Sequence, residues 1–230
     1  MGPEQHIKIA VDAIVFGYAE NKLSVLLIKQ KFGALKQQWA LVGGFVKDEE
    51  SLSEAVKREL SEEAGIEVNF LEQLYTFGDD IHRDPRFRVI SVAYFALVNP
   101  TQFVVKADTD AEEAQWFPID ELPPLAFDHE SIIQTAIQRL KAKLTYEPIG
   151  FDLLAPEFLF SDLENLYCTI LNREIDRRNF RKKILSFGFV EETGRFGDKK
   201  SGRPAKLFRF NNLKYNELKT GGFHFEISFA

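Results

Sequence analysis

Three glutamates at the end of one amphipathic segment, residues 51–64, have a spacing that suits metal chemistry. Apolar residues recur there at helical spacing, and Glu59, Glu62 and Glu63 continue the same stripe. Like charges four residues apart destabilise a helix by about a few tenths of a kcal/mol. Extending the apolar stripe with three glutamates therefore does not stabilise the helix. Carboxylate oxygens favour a hard cation such as Mg²⁺ or Mn²⁺. The alternative is a solvated helix face on which Arg58 is the local counter-charge.

The surrounding elements predict an α/β fold that holds this helix against a sheet. A polar turn separates two long apolar segments, which predicts a hairpin of long strands. A short strand leads into Gly43-Gly44 before the helix, and Gly65 is placed to cap its end. The strand pairs are too close in sequence for repeated βαβ units, so we predict a mixed sheet between helices. The predicted strands are 7–18, 23–30, 39–42, 67–77, 87–98 and 113–119, and a second helix runs from Asp128 to about Lys143.

Segment 44–66 resembles the Nudix box, the loop–helix–loop signature of the Nudix hydrolase superfamily. Gly44 is followed by five residues and Glu50, and then by seven residues and the run Arg58-Glu59-Leu60-Ser61-Glu62-Glu63-Ala64-Gly65-Ile66. Every fixed position of the signature is filled at the right spacing. Just upstream, Val42 stands where many members have proline. The resemblance implies an α/β/α sandwich over about residues 6–145.

The resemblance also implies a chemistry. Nudix enzymes hydrolyse a nucleoside diphosphate linked to another group, and a divalent cation neutralises this doubly anionic substrate. Glu62 and Glu63 would bind Mg²⁺ or Mn²⁺, with the carbonyl of Gly44 as a further ligand. Glu59 would be a metal ligand or the base that orients water. Arg58 would fix the glutamates through charge-assisted hydrogen bonds.

Ligand recognition must come from residues outside the box. Arginines in or beside the polar loop 78–88 are candidates for phosphate contacts, and aromatic side chains are candidates for stacking on a base. Glu112 or Glu113, shortly before Trp116, is a candidate to supply a further carboxylate from a loop. The alternative for each aromatic residue is packing in the core, and the alternative for each charged residue is an ordinary charge on a loop. The candidates are Arg83, Arg86, Arg88, Trp39, Phe77 and Glu113.

The pattern changes after residue 146. Ser161 and Glu164 predict a capping box for one helix, and Asp176 predicts the cap of a second, basic helix. Two short strands around a basic tip follow. This order of helix, short turn, basic helix and hairpin is that of a winged helix-turn-helix. The predicted helices are 161–171 and 177–186, and the predicted strands are 189–193 and 206–210.

Charge divides the chain in the same way. The whole chain has a net charge of −6, residues 1–146 have −8, and residues 173–210 have +7. We therefore predict two domains, 1–146 and 147–230, although chance clustering on two solvated faces is the alternative. Basic side chains neutralise DNA phosphates, and Arg and Asn can read base edges. The DNA-binding candidates are Arg177, Arg178, Asn179, Arg181, Lys182, Lys199, Lys200 and Arg203.

A Nudix domain followed by a basic winged helix is similar to the Nudix-related transcriptional regulators of bacteria. Segments 83–94, 127–130, 147–155 and 178–183 extend the likeness over nearly the whole chain. The resemblance implies a first domain that senses ADP-ribose or a related metabolite and a second that binds operator DNA. The alternative is a Mg-dependent pyrophosphohydrolase of the ADP-ribose or nucleotide-sugar class with an accessory domain. The intact box leaves hydrolysis open for a regulator too.

Two-fold dimers usually read palindromic bacterial operators, so we expect a homodimer. The tail alternates Phe223, Phe225, Ile227 and Phe229, so one apolar face is available for a protomer boundary. Packing of this face within its own chain is the alternative.

Composition excludes several other classes of protein. Hydrophobic residues make up 45% and charged residues 28%, which is typical of folded globular chains rather than disordered ones. No run approaches the roughly 20 apolar residues of a membrane helix. The polar start has no secretory signal, and the single Cys168 forbids an internal disulfide. We therefore expect a cytoplasmic protein.

Overall fold

The structure is a computed structural model that describes residues 6–30, 37–103, 111–197 and 204–227. It divides into two compact units, Met1–Ala19 with Leu23–Arg139 and Glu20–Lys22 with Leu140–Ala230. The division falls inside a helix, whereas the sequence placed it at 146–147 because Pro148 and Gly150 end the helical pattern there. None of the helices in the described ranges has the length and apolar character needed to cross a bilayer.

The described part of the first unit is built on a seven-stranded mixed sheet. Its strands are β1 (Ile7–Ala19), β2 (Lys22–Gln30), β3 (Trp39–Ala40), β4 (Val42–Phe45), β5 (Phe70–Phe77), β6 (Arg88–Val98) and β7 (Ala111–Pro118). The order is β3-β2-β1-β6-β5, with β4 paired to β1 and β7 to β2. β1 runs parallel to β6 and antiparallel to β4. The predicted hairpin and mixed sheet are confirmed.

Helix α1 (Leu52–Ala64) packs its apolar stripe on this sheet, where Ala55, Val56 and Leu60 are fully buried. The side chain of Ser51 accepts a hydrogen bond from the Glu54 N–H, and the Ser51 N–H donates to Glu54 in return. Gly65 ends the helix at φ 64°, as predicted, since a left-handed cap favours glycine. These local signals fix both ends of α1, and the apolar stripe fixes its rotation. The glutamates on its last turns are thereby brought to the edge of the core.

Helix α2 (His129–Tyr146) begins in the first unit and ends in the second. In the first unit its inner side buries Ile132, Ile133 and Ala136. Phe127, just before the helix, has φ 53°, which is rare for a bulky side chain and turns the chain sharply into α2.

The second unit has the elements of a winged helix. They are β8 (Phe158–Leu159), α3 (Phe160–Leu171), α4 (Arg177–Ser186), β9 (Val190–Phe196), β10 (Lys206–Phe210) and α5 (Asn212–Thr220), preceded by a 3₁₀ turn, Ile149–Leu153. The described strands form an antiparallel sheet in the order β8-β10-β9. Phe208 and Tyr167 are fully buried, and the Tyr167 ring lies 4.8 Å from that of Phe180. This aromatic core joins α3, α4 and the sheet.

Two details of this unit differ from the sequence prediction. Helix α3 starts at Phe160, because the Asp162 carboxylate accepts a hydrogen bond from the Leu159 N–H at 3.0 Å. The predicted cap at Ser161 is therefore wrong. Helix α5 was not predicted, and its cap is Asn211. The predicted Asp176 cap of α4 is confirmed, since its side chain accepts from the Asn179 N–H.

The described part of the apolar tail packs within its own chain. The Phe223 and Phe225 rings lie against Phe187 and Phe189, and Phe225 and Ile227 are buried. Packing within its own chain, the alternative stated for this face, is therefore observed for Phe225 and Ile227, whereas Phe223 is half-buried. Phe229 lies outside the described residues.

Candidate ligand cleft and DNA-binding surface

The end of α1 meets the glycines of β4 at one wall of a cleft. Oε2 of Glu63 accepts a hydrogen bond from the Gly43 N–H at 3.0 Å. A Cβ atom on Gly44 would lie 2.3 Å from Oε1 of Glu59, so only glycine permits this approach. Glu59 and Glu63 are 8% and 5% exposed, and burial raises the pKa of Glu59. Two of the three box glutamates are thus buried where a ligand would meet them.

Arg58 ties the box carboxylates together. Its Nε and Nη2 atoms donate to Glu50 at 2.9 and 2.7 Å, and Nη1 lies 2.6 Å from Glu59 and 3.2 Å from Glu62. Nη2 also lies 3.3 Å from the Phe45 carbonyl oxygen. The Arg58 hydrogen bond lowers the pKa of Glu50 to about 2. This arrangement agrees with the positioning role predicted for Arg58.

The donor atoms on this wall suit a hard divalent cation, because they are oxygens of Glu59, Glu63 and the β4 backbone. Glu62 is placed differently: its side chain is 44% exposed and faces Arg58 rather than lining the cleft. Among the described residues, no three His, Cys, Asp or Glu side chains are already grouped as a metal site. A site that uses all three glutamates therefore requires Glu62 to exchange Arg58 for the cation.

A second cluster of charged side chains also lines the cleft. Arg83 makes a two-point contact with Asp128, through Nε at 2.9 Å and Nη2 at 2.6 Å. The same Nη2 lies 3.7 Å from Oδ2 of Asp12, which also accepts a hydrogen bond from Ser91. The structure thus places Arg83, a predicted phosphate contact, in the cleft and gives it two carboxylate partners.

His129 lies beside Asp12 and is fully buried. Nδ1 accepts a hydrogen bond from the Leu41 N–H at 3.0 Å, and Nε2 lies 3.6 Å from Oδ1 of Asp12. Because Nδ1 accepts this hydrogen bond, the ring proton is assigned to Nε2. Burial lowers the pKa of His129. Asp12, Asp128 and His129 were not among the ligand-binding or catalytic residues predicted from the sequence. An acidic residue inside the apolar strand 7–18 was a signal for Asp12.

Arg86 completes this cluster beside an aromatic ring. It contacts the Asp84 carboxylate through Nε at 3.0 Å and Nη2 at 2.8 Å. Its guanidinium lies 5.0 Å from the centre of the Phe127 ring. Arg83, Asp84, Arg86 and Phe127 all line the cleft, whose volume is about 270 Å³. The cleft therefore offers arginines, carboxylates and aromatic side chains, among them Phe45 and Phe127.

Four other predicted ligand residues do not line this cleft. The Trp39 ring packs edge-on against Phe117, and the Phe77 ring packs against Tyr75. Arg88 donates to the Gly78 carbonyl at 2.8 Å, and Glu113 lies 3.3 Å from the Lys29 ammonium group. Stacking by Trp39 and Phe77, and ligand contacts by Arg88 and Glu113, therefore gain no support from the cleft geometry. Each side chain instead has a partner in the fold.

Gly44→Ala is expected to abolish ligand binding at this cleft. The new Cβ would overlap the Glu59 carboxylate, whose position behind the strand is fixed by Arg58. Isothermal titration with ADP-ribose and Mg²⁺ measures the effect. Gly221→Ala is the matched control, because its Cβ would meet nothing closer than 3.4 Å. Wild-type affinity in Gly44→Ala would contradict this assignment of the cleft.

The Glu50–Arg58 pair is expected to make stability sensitive to acid. The folded-state pKa of Glu50 is about 2, below its ordinary 4.5. Its contribution is therefore present above about pH 4.5 and is lost as the pH falls towards 2. Urea unfolding at pH 5 and pH 2.5 should show a smaller loss of stability in Glu50→Gln than in wild type. Equal losses in the two proteins would argue against the pair.

Three of the DNA-binding candidates on α4 make contacts inside the second unit. Arg177 lies 3.1 Å from Glu164 and 2.9 Å from the Asn165 side-chain oxygen. The Asn179 amide donates to the helix cap, Asp176, at 2.7 Å. The Arg181 guanidinium lies 4.5 and 5.2 Å from the ring centres of Phe160 and Phe208. These contacts orient α4. They also engage side-chain groups that would otherwise be available to contact DNA.

Arg178 and Lys182 are different. They are exposed, lie one helical turn apart, and form no ion pair with any residue in the described ranges. In contrast, the described basic residues of strands β9 and β10 form ion pairs. Lys206 pairs with Glu192, and Arg209 pairs with Glu191. The outer face of α4 therefore carries uncompensated positive charge. Lys199, Lys200 and Arg203 lie outside the described residues.

Comparisons with known proteins match both units. The NUDIX domain model matches residues 6–136, and the model of the NrtR DNA-binding winged helix domain matches residues 150–210. The chain is 34% identical over 213 residues to the ADPR responsive transcriptional repressor NtrR of Acinetobacter baylyi, covering 90% of this chain and 84% of that protein. It is 43% identical over 131 residues to the ADP-ribose pyrophosphatase of Methanocaldococcus jannaschii, covering 56% and 72%.

The structural comparison agrees. The chain resembles Shewanella oneidensis NrtR complexed with a 27mer DNA, with a TM-score of 0.78, 27% identity, and coverage of 96% of this chain and 99% of that one. It also resembles the NUDIX domain of that NrtR complexed with ADP ribose, with a TM-score of 0.54, 31% identity, and coverage of 60% and 90%. The chain therefore belongs to the Nudix family, and within it to the regulators that join a Nudix domain to an NrtR-type DNA-binding winged helix domain.

Proposed function

We propose that this protein is an ADP-ribose-responsive transcriptional repressor of a bacterium. The observation that carries the proposal is the match to DNA-bound Shewanella oneidensis NrtR, which covers nearly the whole of both chains. The uncompensated cations on α4 and the arginines in the Nudix cleft support it independently. A repressor must reach the chromosome, so the cytoplasm is its place of action.

The cleft chemistry supports a diphosphate ligand that carries a sugar and a base. Arg83 and Arg86 present planar forks that match phosphate oxygens. Asp12 and Asp84 are carboxylates, which accept hydrogen bonds from sugar hydroxyls but repel phosphate. Phe127 offers a ring face for a base. ADP-ribose combines these three groups, and both Arg83 and Arg86 must exchange part of their carboxylate contacts to bind it.

We propose that the DNA-binding form is a homodimer. One winged helix reads only a short site, and two related by a two-fold axis read a palindrome. Of the described tail residues, Phe225 and Ile227 are buried in their own chain, so we expect the protomers to meet mainly through other surfaces. Light scattering at micromolar concentration tests the oligomeric state, and a monomer both with and without DNA would contradict it.

The direct test of the function is fluorescence anisotropy on the DNA upstream of the protein's own gene. Wild type should bind this DNA far more tightly than random duplex, and ADP-ribose should weaken the complex. By linkage, the DNA must weaken ADP-ribose binding by the same factor. Equal affinity for both duplexes would contradict the regulator, and an affinity insensitive to ADP-ribose would contradict its proposed effector.

A second function, hydrolysis of the effector, is favoured by the complete Nudix box. Glu59, Glu62, Glu63 and the Gly44 carbonyl would hold Mg²⁺ or Mn²⁺, and Arg58 would position the carboxylates. The cation would neutralise the diphosphate and lower the pKa of a bound water. Glu59, buried with a raised pKa, is the candidate to take the proton from that water. Such a regulator would consume its own signal.

A further inference from the structure

The C-terminal segment 223–227, here called the strap, has no regular secondary structure, yet it buries two of its apolar side chains. Phe225 and Ile227 are each only 4% exposed. An irregular segment with its apolar side chains this deeply covered is held at definite points. Among the described residues of the second unit, the strap contacts Phe189 and the Leu218 carbonyl, and it also contacts two further points, the end of α4 and the end of α2.

The first point joins the strap to the helix that carries Arg178 and Lys182. Phe187 is the C-terminal cap of α4, and its N–H bonds back to the helix. The rings of Phe223 and Phe225 lie 5.4 and 5.1 Å from that of Phe187. Because the cap residue is part of the helix end, movement of the strap changes the packing of α4 directly.

The second point joins the strap to α2. The Ile227 N–H donates to the Thr145 carbonyl at 2.8 Å, in the last turn of α2. Carbonyls of a last turn have no donor within the helix, so this bond satisfies a group that would otherwise need water. The strap therefore connects the end of α2 with the end of α4.

Helix α2 begins at the ligand cleft. Asp128 precedes its first residue and is bound by Arg83, and His129 lies beside Asp12. The helix then continues to Tyr146 without a break. A phosphate that binds Arg83 competes with Asp128, and this contact fixes the residue that starts α2. Thr145 lies in the last turn of this same helix.

We propose that the strap is the element that couples the ligand cleft to the DNA-reading helix. This inference rests on the proposed function and names the route of its regulation. Ligand binding would shift α2, the bond from Ile227 to Thr145 would transmit the shift, and Phe225 would pass it to Phe187. A ligand can alter DNA affinity only if it favours one arrangement of such an element over another.

The test is Ile227→Pro, which removes the N–H that bonds Thr145, with Ile227→Val as the matched control that keeps it. Each protein is titrated with its upstream DNA at zero and saturating ADP-ribose, and with ADP-ribose alone. Wild type and Ile227→Val should show a coupling factor within the usual 5–150-fold. Ile227→Pro should bind DNA alone and ADP-ribose alone within about threefold of wild type, while its coupling factor falls towards 1.

Ile227→Pro that folds and keeps the wild-type coupling factor would overturn the inference. Absence of coupling in wild type would instead overturn the proposed function, so the two failures are distinguishable. If Ile227→Pro fails to fold by circular dichroism, hydrogen exchange on the wild-type protein decides. ADP-ribose should change the protection of the amides of Ile227 and of residues 185–189. Unchanged protection there, in protein whose cleft amides respond, would overturn the inference.

Discussion

Arg178→Ala is expected to lower the affinity for operator DNA by about 5–150-fold and to relax its sequence preference. The side chain is exposed on the outer face of α4 and has no ion-pair partner among the residues that the structure describes. A two-point contact with a base is worth about 1–3 kcal/mol. Anisotropy titrations against operator and random duplexes measure both effects. Lys182→Ala, which removes only a point charge, should mainly reduce the slope of log affinity against log salt, by about 0.9.

Arg177→Ala is the informative comparison for Arg178→Ala. The two residues are neighbours of the same type, but Arg177 is held by Glu164 and Asn165 on α3. Its loss should loosen the packing of α4 on α3 and lower the melting temperature, with little change in base preference. If Arg178→Ala kept full affinity and preference while Arg177→Ala lost them, the assignment of the two faces of α4 would be reversed.

Glu59→Gln is expected to remove at least 99% of any Mg²⁺-dependent hydrolysis of ADP-ribose. A positioned base contributes about 10²–10⁴ to rate, and the amide has neither the charge nor the proton affinity of the carboxylate. Release of AMP under single-turnover conditions is the measurement. Glu49→Gln changes an exposed acid that lies just before α1 and at no fixed position of the box, and it is the matched control.

The Glu59→Gln variant also separates hydrolysis from sensing. Glu59→Gln should still respond to ADP-ribose in DNA titrations, because Arg83 and Arg86 are untouched, and its response should persist with time as the ligand is no longer consumed. If wild type turned over neither ADP-ribose nor other nucleoside diphosphates with Mg²⁺ or Mn²⁺, the hydrolase function would be excluded. The box would then serve binding alone.

The sequence by itself determined the features that depend on neighbours along the chain. Helix α1 was predictable in extent, in the cap at Gly65 and in the stripe that carries Glu59 and Glu63, because caps and helical periodicity act within a few residues. The Nudix box and the winged-helix order are likewise patterns of local spacing. The mixed sheet followed from strands too close together for crossover helices.

Only the tertiary structure decided which charged residues meet. Arg83, Asp128 and Asp12 come from a loop, a helix start and a strand that are far apart in sequence, and no local pattern marks them as partners. The sequence did not distinguish the neighbouring cations of α4. In the structure both Arg177 and Arg178 are exposed, but Arg177 contacts Glu164 on α3, whereas Arg178 forms no ion pair within the described residues. The periodicity of apolar residues predicts which face of a helix or strand is buried. What lies opposite that face is fixed by the burial of apolar surface over the whole fold, which brings distant segments together.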